Sequence, residues 1–134
     1  MKRAVIAITA ILALAGCGAE QETSVDRFSG AERDVAQKVE DLQDAGESRK
    51  PEDICSEILA STLVDQLEAA GTDCADEMSK AIDDADDFDL EVREITVNGD
   101  DATARVQRGD GGPTATFEFT RENGQWRATS LGAA

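Results

Sequence analysis

Hydrophobic residues change their spacing twice along this chain. From Ala4 to Leu14 they run almost unbroken (AVIAITAILAL), from Ala31 to Ile82 they recur every three or four positions, and from Leu90 to Ala128 they alternate with polar residues. The middle spacing marks one face of an amphipathic helix, and the last marks a half-buried strand. The helical stretch carries its own punctuation. Ser29 with Glu32 matches a capping box ahead of Ala31, Val35, Val39 and Leu42, and Gly46 reads as the stop. Pro51, followed by Glu52 and Asp53, has the form of a helical first turn with acids at its positive end, leading into Ile54, Cys55, Ile58 and Leu59. Ser61 restarts a short helix through Leu63, Val64 and Leu67 to Gly71. Thr72 or Asp73 can cap a last one bearing Cys74, Met78, Ala81 and Ile82 on one side.

Beyond Ala85 the pattern is that of strands. Leu90 and Val92 alternate, then Ile95 and Val97 alternate on the opposite parity, which predicts a strand over 88–98 with a bulge near Arg93 and Glu94. Asn98-Gly99-Asp100 is a turn, and Ala102, Ala104 and Val106 form the inner row of a second strand. After the loop RGDGGP at Arg108–Pro113 come Ala115, Phe117 and Phe119, then Asn123-Gly124, the strongest hairpin signal in the chain, then Trp126 and Ala128. Helices first and a four-stranded antiparallel meander after them predict an α+β fold, with the short helices packed on one face of the sheet.

The N-terminal apolar run is preceded by Lys2 and Arg3 and followed by Ala15, Gly16 and Cys17. Its eleven residues fall well short of the ~20 that a membrane-spanning helix needs, and the order of regions is that of an export signal. Leu14-Ala15-Gly16-Cys17 resembles the lipobox of bacterial lipoproteins. That resemblance implies a diacylglycerol on the Cys17 thiol and cleavage before Cys17. Several acyl chains anchor stably where one is marginal, at roughly 0.8 kcal/mol per buried CH₂. The expected organisation is a signal peptide over 1–16, a lipidated Cys17 and polar tether over 17–27, and one α+β domain over 28–134. The anchor would hold the domain on the outer face of the cytoplasmic membrane, or on an outer membrane in an organism that has one.

Cys55 and Cys74 remain as an even pair in an oxidising compartment and so are candidates for a disulfide. Two buried free thiols are the other reading. A metal pair is disfavoured because neither a His nor a further Cys is at hand.

The closing segment Asn123-Gly124-Gln125-Trp126-Arg127, after helices, a bulged strand and a meander, resembles the nuclear transport factor two-like (cystatin-like) domains of small bacterial lipoproteins. The resemblance implies a cone-like sheet whose cavity takes small apolar ligands in some members and performs isomerase or dehydratase chemistry in others. Leu90, Val92, Ala104, Phe117, Phe119 and Trp126 are the candidate cavity lining.

Charge and composition narrow the chemistry. Among 134 residues there are 29 Asp and Glu against 13 Lys and Arg, a net charge of −16, which becomes −18 if Lys2 and Arg3 leave with the signal peptide. Such a surface opposes contact with nucleic acid and with anionic lipid headgroups, so any membrane attachment has to come from the lipid. The chain has no His and no Tyr, which removes the commonest general base and metal ligand. The acidic run Asp83, Asp84, Asp86, Asp87 and Asp89 suggests calcium, yet the glycine and closing glutamate of a calcium loop do not fall in register, and no metal or cofactor is expected. The expectation is a non-enzymatic envelope lipoprotein that binds a protein partner or a small apolar ligand. The rival is a lipid-anchored isomerase or cyclase-like enzyme using a cavity carboxylate, for which Glu94 at the bulge is the nearest candidate.

Overall fold

A computed structural model describes residues 24–85 and 87–132. The expected signal peptide over 1–16 and Cys17 lie outside the described residues. The described chain is α+β, with helices followed by a single antiparallel sheet. A one-turn 3₁₀ helix at Ser24–Arg27 precedes α1 (Gly30–Glu47), α2 (Pro51–Asp53, continued as a π-helical turn over Ile54–Ile58), α3 (Ser61–Ala69) and α4 (Cys74–Asp84). The strands β1 (Leu90–Asn98), β2 (Asp101–Arg108), β3 (Thr114–Glu122) and β4 (Gln125–Ser130) pair in chain order.

Packing begins earlier than the polarity of the segment suggests. Val25 is buried in the core, and Arg27 donates from Nη2 to the Val92 carbonyl at 2.7 Å. Residues 24–27, expected in the tether, therefore belong to the folded unit. One buried apolar residue and one bond from an arginine side chain to a strand carbonyl help dock this turn, and neither leaves a periodic trace.

α1 buries Val35, Ala36 and Val39 completely and packs against β1, β2 and β4. At its start Ser29 is the N-cap, but its side chain makes no capping bond, so the Ser29–Glu32 box does not form. The chain instead enters the helix through Gly30 at φ +58°, a left-handed step that glycine takes without steric cost. At its end, α1 runs past Gly46. Arg49 takes the left-handed position at φ 53°, donating to the Gly46 carbonyl at 3.1 Å, while Lys50 donates to Ala45 at 2.9 Å. These two bonds close a Schellman motif. An ion pair from Arg49 Nη1 to Asp83 at 2.6 Å ties that end to α4.

Gly46 serves packing rather than termination. It is buried, and a Cβ placed on it would stand 2.4 Å from Cδ1 of Phe88.

The sheet follows its alternation. Between β1 and β2 the register shifts at Val92/Glu94, which leaves Arg93 as the extra residue and turns both Val92 and Ile95 inward. The β3–β4 hairpin turns on Asn123 (φ 51°) and Gly124 (φ 79°), the pair of positive φ values that a type I′ loop requires. Ala102, Ala104, Val106, Phe117, Phe119, Trp126 and Ala128 are buried. The alternate positions Thr103, Arg105, Thr116 and Glu118 face water. The outer edge of β4 is not left open, because Ala60 donates to the Ala128 carbonyl at 2.8 Å and Arg127 donates to Ser56 O at 2.6 Å.

A disulfide joins Cys55 in the π-helical turn to Cys74 at the start of α4, with Cα atoms 6.2 Å apart. It encloses α3, which has no buried residue of its own. Replacing both cysteines by serine is expected to lower the unfolding free energy by about 3 kcal/mol, read from urea titrations of the oxidised wild type and the variant. Gly46→Ala is expected to cost about 1–3 kcal/mol through overlap with Phe88. In a Phe88→Ala background the sign should reverse, because alanine is the better helix former by about 1 kcal/mol. A double-mutant cycle on unfolding midpoints checks this; a Gly46→Ala effect indifferent to residue 88 would refute the close approach.

Candidate functional site

Met78, Ala81, Ile82 and Ala85 fall on one stripe of α4 and its end, at the spacing that brings helical side chains onto one face. This stripe is not wholly covered. Together with Leu42 of α1, Leu90 of β1 and Phe117 of β3 it lines an apolar cleft of about 150 Å³. Phe88 also lines it, and Asp87 and Arg108 supply its charged groups.

The segment that carries Phe88 is stitched in place. Asp89 N–H donates to Asp87 Oδ1 at 2.8 Å, Gly109 N–H donates to the Asp89 carbonyl at 2.8 Å, and Leu90 N–H donates to Gln43 Oε1 at 2.9 Å. Arg108 reaches from Nη2 to the Leu131 carbonyl at 3.2 Å, with its guanidinium carbon 5.9 Å from the centre of the Phe117 ring. The cleft thus has apolar walls and a rim held by hydrogen bonds, a form suited to receiving an apolar group.

A second, polar cleft of about 470 Å³ lies between the 3₁₀ turn, α1 and the start of β1, lined by Ser24, Arg27, Glu40, Gln43, Asp89 and Glu91. Arg27 pairs there with Glu91 at 3.5 Å. Glu40 has its carboxyl raised above the usual 4.5, first by removal from water and then by the negative charges of Asp44, Asp41 and Asp26.

Of the six residues expected to line a cavity, Leu90 and Phe117 meet at the apolar cleft. Val92 and Ala104 are wholly buried in the core, and Phe119 is buried at the far end of the sheet. Trp126 is buried beside the β3–β4 hairpin, where the Arg121 guanidinium lies 4.6 Å from its ring centre and the indole N–H finds no acceptor among the described residues. Strand parity identifies which residues point inward but not where the covering helices leave a gap. Leu42, Met78, Ile82, Phe88 and Leu131, which complete the cleft, come from outside the strands. The helical spacing of Met78, Ala81 and Ile82 was the available signal for the part that α4 supplies.

Glu94 is exposed and pairs with Arg105 at 3.6 Å, away from the apolar cleft. Among the described residues no polar or charged residue is buried in the core, no group of His, Cys, Asp or Glu is arranged to hold a metal ion, and no helix is long and apolar enough to cross a membrane. Comparison with protein-family models, with curated proteins and with solved structures finds no match to the chain.

The Glu40 shift gives a pH dependence with a definite sign. A carboxyl raised in the folded state opposes folding when ionised, and this cost disappears as pH falls through the raised value toward the ordinary one. Glu40→Gln is therefore expected to raise the urea midpoint at neutral pH, modestly and less so in high salt. It should leave the midpoint unchanged below the ordinary glutamate range. Equal effects in both ranges would mean that the residue acts through packing or hydrogen bonding instead.

Proposed function

We propose that this protein is an envelope lipoprotein, exported by its N-terminal signal and held at the membrane by lipid on Cys17. Its small α+β domain acts as a non-enzymatic binding module for a protein partner or a small apolar ligand. The observation that carries the binding reading is the apolar cleft between α1, α4 and the sheet, with Leu42, Met78, Ile82, Leu90 and Phe117 in its walls. In this reading the sheet and helices close cone-like, in the manner of nuclear transport factor two-like domains. The cone is mostly filled by Phe117, Phe119 and Trp126, and the cleft is its remaining opening. The net charge of −16 favours a lipid anchor over electrostatic adhesion to an anionic membrane and disfavours nucleic acid as a partner.

One observation favours a second reading, a lipid-anchored isomerase or cyclase-like enzyme. Glu40 combines a raised carboxyl with a place in the polar cleft, as a general base requires. The cleft is open to water, and of its other carboxylates Asp89 is exposed and Glu91 is paired with Arg27 and Arg93, so binding remains the better account.

The anchor is tested by metabolic labelling with palmitate and by cell fractionation. The wild-type chain is expected in the membrane fraction and labelled, while Cys17→Ala is expected to be unlabelled and released from the membrane. An unlabelled wild-type chain, or a Cys17→Ala variant that stays membrane-bound, would end the lipoprotein reading.

A further inference from the structure

The surroundings of the apolar cleft specify what it takes. Its volume of about 150 Å³ is well below the ~300 Å³ at which small-molecule pockets begin, yet it has room for one large apolar side chain. Protein interfaces concentrate their energy in such places, where one anchor residue fills a pocket and the flanking contacts exclude water.

The charge around the mouth has one dominant sign. Asp87 lines the cleft, Asp83 and Asp84 end α4 beside Ile82 and Ala85, and Asp89 and Asp110 flank the bond from Gly109 to the Asp89 carbonyl. The cations nearby are Arg49, bound to Asp83 at 2.6 Å, Lys80, paired with Glu77 at 3.8 Å, and Arg108, which reaches the Leu131 carbonyl. Acids outnumber bases at this rim, as they do across the whole chain.

We infer that the cleft is a docking site for a basic segment of a partner protein, which inserts one large aliphatic or aromatic side chain between Met78, Leu90 and Phe117 and sets flanking lysines or arginines against Asp84, Asp87 and Asp110. This rests on the binding reading above and narrows it to one class of partner. The apolar anchor supplies affinity, and the acidic rim supplies steering and selection against acidic competitors.

Fluorescence anisotropy with the full chain tests it. The probes are a short lysine-rich peptide with one central leucine, its counterpart with glycine at the centre, and a glutamate-rich counterpart that keeps the leucine. The leucine peptide is expected to bind about tenfold or more tighter than the glycine peptide, as burial of one leucine side chain implies, and the glutamate peptide not at all. Ala81→Trp, at an exposed position on the rim, should plug the cleft and abolish the leucine advantage, and unchanged urea midpoints would show the variant folded. Asp84→Asn with Asp110→Asn should weaken the lysine peptides and flatten their salt dependence.

Equal binding of the leucine and glycine peptides would overturn the proposal by reducing the effect to charge alone, as would a leucine peptide indifferent to Ala81→Trp. Octylamine provides the remaining arm. If it binds in a manner sensitive to Ala81→Trp while the leucine peptide does not bind, the peptide proposal falls and a small-ligand site stands. If neither binds, both this proposal and the binding role of the cleft fall, leaving the Cys17 anchor to its own test.

Discussion

A meander with one apolar face gains little stability in water until something covers that face, and here α1 is the principal cover. Val35, Ala36 and Val39 are completely buried where the helix crosses β1, β2 and β4. Each buried valine contributes on the order of 1.5–3 kcal/mol relative to exposure. The inner face of the sheet carries Ala102, Ala104 and Ala128 as well as larger residues, all of them buried. The rest of the chain is arranged around this contact. The 3₁₀ turn extends the helical layer at one end, and the Arg49–Asp83 pair and the Gly46–Phe88 approach join it to α4 and the Phe88 segment at the other.

What α1 leaves uncovered is closed by shorter pieces with less apolar surface of their own, and these need other restraints. α3 buries no residue fully, and the disulfide around it limits how far its ends can separate. The segment 87–89 has one large apolar side chain and is held by a backbone bond from Gly109 and by its own Asp87. A domain built this way has its main interlayer contact between the sheet and α1, and its opening at the seam between α1, α4 and β1. Binding surfaces arise readily at such seams because the apolar stripes of neighbouring helices are never matched along their whole length.

Much of this architecture was legible in the residue pattern. The bulge followed from Val92 and Ile95 standing on opposite parity, the hairpin from Asn123-Gly124, and the start of α4 from Asp73, whose side chain accepts from the Asp76 N–H. The misreadings share a cause. Gly46 reads as a stop and Ser29 as a box because glycine and serine usually act through local backbone chemistry. Gly46 is instead occupied by Phe88, forty-two positions away in sequence, and the entry to α1 is made by Gly30. Of the six residues assigned to a cavity, Leu90 and Phe117 line the apolar cleft while Phe119 and Trp126 each line a separate opening, and the rest of the cleft wall comes from the helices, the Phe88 segment and Leu131.

The sequence by itself determined the elements, their order and the side of each strand that turns inward, since hydrophobic period and turn chemistry act between near neighbours in the chain. It also carried the motifs behind the proposed export signal and lipid-bearing Cys17, and the cysteine pair, which are matters of short motifs and counting. Only the tertiary structure decided which apolar residues remain uncovered, which glycine serves contact rather than conformation, and that Asp87 of the acidic run borders the apolar cleft. Those properties belong to surfaces that meet across long stretches of chain, and packing of one layer on another has no period that a single strand or helix can display.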